Sequence, residues 1–257
     1  MRVGFAASAP FGADVLERLA ARHEIAFLLT QPDRPAGRGR RLEPTAAKLR
    51  ALQLGISVLH EYEPRDVDTI VLVAYGRLIP RDQLARHLWL NAHPSLLPRW
   101  RGAAPVERAL IAGDTETGVT IIELVEELDA GPIAAQRAFA IEPEDNAGDV
   151  YAKAAELGAE LLEQVLPNPS FTPQPEEGVT YAEKIGPDDR VLDLARPEEA
   201  VNRVRALSPH IGARAELEGR PVTVWRARVE DGRFGPVEVQ PPGGRRMTYE
   251  EWVRGLR

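Results

Sequence analysis

The chain has 257 residues, a net charge of −7 and no cysteine, which excludes a disulfide framework and any metal site with cysteine ligands. An acidic chain does not coat nucleic acid with its whole surface, although a local basic patch is still allowed. The N-terminal sequence MRVGFAASAPFG lacks the long apolar stretch of a signal peptide, and no segment reaches the length of a membrane span. We therefore expect a cytoplasmic globular protein.

The first half of the chain alternates strand-like and helix-like segments. Apolar composition predicts strands at RVGFAA, EIAFLLT, ISVLH, TIVLVAY and LWLNAH, and helical periodicity predicts helices at GADVLERLAARH and TAAKLRALQLG. Such alternation is typical of a parallel sheet with helices on both faces. We therefore predict an α/β fold with a Rossmann-like, mostly parallel sheet in the N-terminal domain.

The second half continues this pattern and then changes character. A strand at TGVTIIEL, a turn at VEELDAGPI, a strand at AAQRAFAI and a long helix at NAGDVYAKAAELGAELLEQVL come first. A proline-rich connection, PNPSFTPQPEEG, and a helix at RPEEAVNRVRALSP follow. A hairpin around EGR, then GPVEVQ and RRMTYEEWVRGL, predict a small β-rich domain, a compact OB-like barrel. The expected boundaries are an α/β domain over 1–187, a linker and helix over 188–209, and the β-rich domain over 210–257.

The stretch LNAHPSLLPRW contains the strongest candidate for a reactive site. Side chains two residues apart in a strand point to the same side, so Asn91 and His93 project together. In parallel sheets, ligands bind at the carboxyl ends of the strands. An amide donor beside a titrating imidazole can stabilise an oxyanion while the imidazole moves a proton.

A third group is needed to orient the histidine, as a carboxylate does in catalytic triads. Asp129 in ELDAGP follows a predicted strand and is the best placed acid, although spacing alone leaves other acids open. The alternative is that Asn91 and His93 are only structural. No pair of histidines has helical i, i+4 spacing and no His-Glu motif accompanies them, so the sequence predicts no metal site.

Residues 31–50 concentrate basic charge in a stretch rich in proline and glycine. This stretch, QPDRPAGRGRRLEPTAAKLR, has six basic residues against two acidic ones. Arginines in a loop can bind backbone phosphates without reading sequence. The stretch therefore predicts a nucleic-acid contact, with an ordinary solvated surface as the alternative.

The run LNAHPSLLPRWRGAAPVERALIAGDTETGVTIIEL, followed by LDAG, resembles the formyltransferase superfamily that uses 10-formyltetrahydrofolate, and within it the methionyl-tRNA formyltransferase family. TQPDRPAGRGRRLEP resembles the insertion loop by which this family engages initiator tRNA. The related sugar and glycinamide formyltransferases lack that loop. VAYGRLIP resembles the folate-contacting segment, TYAEKI the junction to the C-terminal domain, and VEVQPPGGRRM that domain's last strands. The resemblance extends over nearly the whole length.

The resemblance implies transfer of the formyl group of 10-formyltetrahydrofolate to the free amino group of initiator methionyl-tRNA, by a monomer and without a metal. It implies that the catalytic residues are Asn91, His93 and Asp129. The folate contacts it implies are Ser95, Leu96, Leu97 and Pro98, with Arg77, Leu78 and Ile79 contributing largely through the backbone. The tRNA contacts it implies are Arg34, Arg38, Arg40 and Arg41.

The chain departs from the family pattern in three places. Only EYEPRDVD lies between ISVLH and TIVLVAY, where the family has a further helical segment. The C-terminal domain has a short EDGRFGP where relatives carry more strands, and LSPHIGA stands in place of an Asn-Pro-Trp-Pro type sequence. The alternatives are a formyltransferase that acts on an amino-sugar nucleotide and a non-catalytic tRNA- or folate-binding relative. A dinucleotide enzyme is disfavoured because GFAASAPFG is not the glycine-rich pyrophosphate motif.

Overall fold

The computed structural model describes residues 1–36 and 41–256. Residue contacts divide the chain into two compact units. The first unit contains Met1–Arg101, Gly118–Ala138 and Ala152–Thr180, and the second contains Gly102–Thr117, Phe139–Tyr151 and Tyr181–Arg257. The boundaries expected from the sequence at 187 and 209 stay a prediction.

The secondary structure follows the predicted alternation of strands and helices. The strands are β1 (Arg2–Ala7), β2 (Glu24–Leu29), β3 (Arg34–Ala36), β4 (Arg41–Glu43), β5 (Val58–Leu59), β6 (Thr69–Val73), β7 (Trp89–His93), β8 (Arg101–Gly102), β9 (Glu116–Glu123), β10 (Ile133–Ala140), β11 (Tyr181–Ala182), β12 (Ala213–Leu217), β13 (Arg220–Glu230), β14 (Arg233–Gln240) and β15 (Met247–Thr248). The helices are α1 (Pro10–Ala20), α2 (Ala46–Gln53), α3 (Arg81–Leu84), α4 (Pro105–Ala112), α5 (Ala147–Val165), α6 (Pro197–Leu207) and α7 (Tyr249–Arg254). Of the helices in the described part of the chain, none combines the length and the apolar character that a membrane crossing requires.

A seven-stranded sheet has the order β10-β9-β7-β6-β1-β2-β5. Strands β5, β2, β1, β6 and β7 are parallel, whereas β9 runs antiparallel to β7. Every residue of β6 and β7 is buried, as expected for strands covered on both faces. The prediction of a mostly parallel sheet is therefore confirmed. The carboxyl ends of β1, β6 and β7 meet at one edge of this sheet.

Helix α1 lies close to this edge. Pro10 stands at its start, where a missing backbone N–H costs nothing, and Val15, Leu16 and Leu19 are completely buried. A Cβ on Gly12 would lie 2.4 Å from the carbonyl oxygen of Val73 at the end of β6. Glycine is therefore required for the helix to approach the strand ends this closely.

The basic stretch contains more regular structure than its composition indicates. Strands β3 and β4 form a short antiparallel ladder in which Arg34 pairs with Glu43. Residues 37–40 lie outside the described residues. A loop is expected for the whole stretch from its composition, whereas residues 34–36 and 41–43 form paired strands. This pair of strands, residues 34–36 and 41–43, is called the basic hairpin below.

The second unit contains an antiparallel sheet of order β12-β13-β14-β15. Its apolar face and helix α6 enclose a core that includes Val204, Val224, Val239 and Trp252. The prediction of a small β-rich C-terminal domain is confirmed. The segment RRMTYEEWVRGL differs from its expected role, since it forms only the two-residue β15 and then helix α7. Thr248 and its partner at the third helical position close the first turn of α7 with a capping box.

Helix α4 was not predicted from the sequence and belongs to the second unit. It packs on α6, and its Arg108 donates to both carboxylate oxygens of Asp189 at 2.8 and 2.9 Å. These hydrogen bonds lower the pKa of Asp189. The same helix carries Glu107, whose carboxylate accepts a hydrogen bond from the Tyr151 hydroxyl at 3.0 Å. Burial raises the pKa of Glu107, and this hydrogen bond opposes the rise only in part.

Replacement of Glu107 by glutamine is expected to stabilise the protein at neutral pH. The folded-state pKa of Glu107 is raised, so its contribution to stability is complete below the unfolded-state pKa and is lost as pH rises through the folded-state value. Glu107→Gln keeps an acceptor for Tyr151 and never ionises. Thermal unfolding between about pH 4 and about pH 8 should show a higher melting temperature for the variant only at the upper end. A less stable variant at neutral pH would contradict this account.

Candidate active site

Strand β7 brings Asn91 and His93 to the carboxyl edge of the sheet, and the turn after β9 brings Asp129 to meet them. All three side chains are buried, at 6%, 4% and 8% exposure. The Asn91 amide donates to Oδ1 of Asp129 at 3.1 Å. Nδ1 of His93 lies 3.6 Å from the other oxygen, Oδ2. One carboxylate therefore faces the amide with one oxygen and the imidazole with the other.

The second ring nitrogen of His93, Nε2, faces a backbone carbonyl. Nε2 lies 2.8 Å from the carbonyl oxygen of Trp100, and a carbonyl only accepts, so Nε2 carries a hydrogen. In the imidazolium form both ring nitrogens carry hydrogens, and each faces an oxygen acceptor. The two ring nitrogens of His93 therefore lie between the Asp129 carboxylate and the Trp100 carbonyl.

The turn that carries Asp129 has an unusual backbone. Asp129 itself has a φ of +49°, a left-handed conformation that few residues other than glycine adopt. Two residues later, a Cβ on Gly131 would lie 1.7 Å from the carbonyl oxygen of Glu123. The LDAG sequence therefore combines a strained aspartate with a glycine that lets the turn fold back against the end of β9.

The loop after β7 is fixed by two polar residues of neighbouring strands. The Thr120 hydroxyl donates to the carbonyl of Ser95 at 2.6 Å and accepts from the N–H of Leu97 at 3.1 Å. The Gln136 amide donates to the carbonyl of Leu97 at 2.9 Å. Ser95 is fully buried and donates to the carbonyl of Arg99. These contacts hold the backbone of residues 95–98 beside His93 in a defined shape.

Sequence reasoning did not find Thr120 and Gln136. Thr120 pairs with His93 in the antiparallel register of β7 and β9. A polar side chain in the apolar run TGVTIIEL was the available signal, because a buried hydroxyl in a strand needs a partner.

The segment after β6 lies at the same edge as the loop after β7. Tyr75 is buried, and burial raises the pKa of its phenol while Arg77 opposes the rise. Leu78 is 77% exposed, and Ile79 packs on the apolar cluster around Trp89. Residues 77 and 78 are therefore exposed at this edge of the sheet.

The basic hairpin is joined to this segment through Gln31. The Gln31 amide nitrogen donates to the carbonyl of Tyr75 at 2.7 Å, and its oxygen accepts from the Arg34 guanidinium. Arg41 is exposed on β4. Arg38 and Arg40 lie outside the described residues. The structure therefore places two of the four predicted arginines on a hairpin that is tied to the 75–79 segment.

The sequence profile of the formyl transferase family matches residues 1–166. The chain belongs to the formyl transferase family. Among its relatives, the methionyl-tRNA formyltransferase of Aromatoleum aromaticum is 40% identical, over all of this chain and 94% of its own length. The methionyl-tRNA formyltransferase of Ruegeria pomeroyi is 42% identical over 93% of this chain and 85% of its own. The resemblance stated from the sequence is therefore confirmed, as is membership of a family of one-carbon transferases.

Solved structures of other proteins show the same fold. HypX from Aquifex aeolicus, in complex with tetrahydrofolic acid, has a TM-score of 0.70 at 20% identity, over 98% of this chain. The chain spans about half of HypX, 47% of its length. The N-formyltransferase from Helicobacter canadensis, in complex with folinic acid and dTDP-3-aminofucose, has a TM-score of 0.69 at 17% identity and covers 89% and 88% of the two chains.

The alignments also show a difference in length between the chain and its relatives. The Aromatoleum aromaticum relative aligns over 298 positions and the Halorhodospira halophila methionyl-tRNA formyltransferase over 301, both with all of this chain. Since the chain has 257 residues, these relatives carry residues that it lacks. The chain is thus shorter than these two relatives over the aligned region.

Replacement of Gly131 by alanine is expected to impair turnover more than stability. The added Cβ would overlap the carbonyl of Glu123, so the turn must move and take Asp129 with it. Misplacement by about 1 Å costs on the order of 100-fold in rate. Steady-state formyl transfer and thermal unfolding should be measured together.

Gly186 offers a matched control, because a Cβ there would meet its nearest neighbour, Asp189, at 3.7 Å, an ordinary contact. Gly186→Ala should therefore retain the parent rate. Equal rates in Gly131→Ala and Gly186→Ala would show that the turn does not have to hold Asp129 closely.

Proposed function

We propose that the chain transfers the formyl group of 10-formyltetrahydrofolate to the amino group of initiator methionyl-tRNA, with Asn91, His93 and Asp129 as its catalytic residues. The observation that carries this proposal is the shared carboxylate of Asp129, one oxygen on the Asn91 amide and the other toward His93. It lies at the sheet edge where α/β enzymes bind ligands.

In the proposed reaction, the amine nitrogen of methionyl-tRNA attacks the formyl carbon and gives a tetrahedral oxyanion. One N–H of the Asn91 amide is bound to Asp129. Within the described part of the chain its second N–H has no partner, so it can donate to the oxyanion. Nδ1 of imidazolium His93 is 3.6 Å from Asp129, longer than a hydrogen bond, and it gives a proton to N10 as the bond between the formyl carbon and N10 breaks. The neutral ring then takes the proton that the amine releases. The ring becomes an imidazolium again, and the Asp129 carboxylate balances its positive charge.

The relatives support the two substrates. Those at 37–42% identity are methionyl-tRNA formyltransferases, and the folate and folinic acid complexes belong to proteins of the same fold. We propose that residues 95–98 and 77–79 contact the folate, since both segments lie at the edge that presents His93. Residues 34 and 41, with 38 and 40 between them, would contact phosphates of the tRNA.

Removal of either side chain of β7 is expected to abolish most of the activity. Loss of one oxyanion donor costs about 10²–10³-fold in turnover, so Asn91→Ala should lower the single-turnover rate by this factor. His93→Ala removes the group that moves both protons, so its single-turnover rate should fall at least as far. The measurement is single-turnover formyl transfer from 10-formyltetrahydrofolate to charged initiator tRNA.

Near-parent rates in both variants would refute the assigned site. The same assay with an amino-sugar nucleotide as acceptor separates the main alternative. Formylation of the sugar nucleotide but not of methionyl-tRNA would assign the chain to that branch of the family instead.

The basic hairpin is expected to set the salt dependence of tRNA binding. Arg34→Ala and Arg41→Ala each remove one cation, so the slope of log affinity against log salt concentration should fall by about 0.7–0.9 for each lost phosphate contact. The turnover number at saturating tRNA should stay unchanged. Arg137→Ala is the matched control, because that arginine pairs with Glu160 on the exposed side of α5. Identical salt slopes for all three variants would argue against a tRNA contact here.

We further propose that the protein acts in the cytoplasm as a monomer, with catalysis assigned to residues 1–187 and a second tRNA contact to residues 210–257. Size-exclusion chromatography with light scattering tests the oligomeric state directly.

A further inference from the structure

Gln174 lies in the proline-rich connection after α5 and reaches back to the turn that carries Asp129. Its amide nitrogen donates to the carbonyl of Asp129 at 2.7 Å and to the carbonyl of Gly131 at 2.8 Å. Its amide oxygen accepts from Nε and Nη2 of Arg101 at 3.1 and 2.8 Å. Both hydrogens and both lone pairs of one amide are therefore used.

The backbone around Gln174 fixes where the side chain starts. Thr172 and Ile133 exchange two backbone hydrogen bonds, at 2.7 and 2.9 Å, so the connection pairs with the beginning of β10. Gln174 follows two residues later and faces the turn. The left-handed backbone of Asp129 is unfavourable for a residue with a side chain and persists only where other contacts hold it.

Arg101 extends the same set of contacts to the other side of His93. It is 8% exposed, and a buried guanidinium bound in two places has little freedom to move. Arg101 directly follows Trp100, whose carbonyl faces Nε2 of His93. Gln174 thus connects the carboxylate on the Nδ1 side of the ring with the chain segment that supplies the carbonyl on the Nε2 side.

We propose that Gln174 is a positioning residue that holds the Asp129 carboxylate and the Trp100 carbonyl on opposite sides of the His93 ring. Its hydrogen bonds go to the Asp129 turn and to Arg101, so it acts on His93 through these neighbours. The proposal rests on the proposed function, since it assigns Asp129 and His93 to the formyl transfer reaction.

Gln174→Glu is the most informative variant. It preserves size and still accepts from Arg101, but it replaces two donors by an oxygen that faces two carbonyls. Turnover should fall by about 10–100-fold, with little change in the KM values for folate and tRNA. The turnover of Gln174→Ala should fall by a comparable factor. Gln164 lies on the exposed side of α5, so the turnover of Gln164→Ala should match that of the parent. A purely space-filling role would leave Gln174→Glu at the parent rate.

A double-mutant cycle with Asp129→Asn separates positioning from general stability. If Gln174 acts through the carboxylate, Gln174→Ala should cost much less in the Asp129→Asn background than in the parent. Equal cost in both backgrounds, or a loss of turnover that follows melting temperature, would overturn the proposal.

The same cycle distinguishes the two levels of the hypothesis. Parent-like turnover in Asp129→Asn would refute the proposed catalytic residues themselves. Parent-like turnover in Gln174→Glu, with impaired Asp129→Asn, would refute only the positioning role.

Discussion

The site depends on a single buried carboxylate with two different neighbours. Asp129 accepts a hydrogen bond from the Asn91 amide and faces the His93 ring. One carboxylate thus orients the neutral Asn91 donor and, in the proposed reaction, balances the charge of imidazolium His93. A buried charge is tolerated only with such partners. Conversely, any movement of the Asp129 turn changes both partners together.

Rigid and irregular elements contribute differently to that placement. Asn91 and His93 belong to a fully buried strand in the sheet, where their direction follows from the alternation of side chains. Asp129 lies on an irregular turn with a left-handed residue, which the sheet does not fix. The turn depends instead on the close approach of Gly131 to Glu123 and on the amide of Gln174. The regular part of the site is local in sequence, and the irregular part is assembled from distant segments.

This difference explains how far the sequence could be read. Alternating strands and helices predicted the parallel sheet, and the spacing of two residues predicted that Asn91 and His93 face the same side. Asp129 is remote in the sequence. Its place after a predicted strand made it the best placed acid, but spacing left other acids open and the family motif decided the choice. Gln174 sits in a proline-rich segment without periodicity, where nothing local indicates its partners. Helix α7 was missed although its capping box was readable from Thr248 and Glu251.

The composition of the second unit constrains the order in which the chain can fold. It is drawn from three separate stretches, and α4, from the earliest of them, packs on α6 and is fastened by Arg108 to Asp189. Contacts that span such long sequence separations carry a large loop-closure entropy and form slowly. During synthesis, some eighty residues separate the end of α4 from the start of α6. Helix α4 is therefore made well before the helix on which it packs. A C-terminal fragment expressed from residue 181 onward lacks that helix, and the side of α6 that α4 covers is then left open to water.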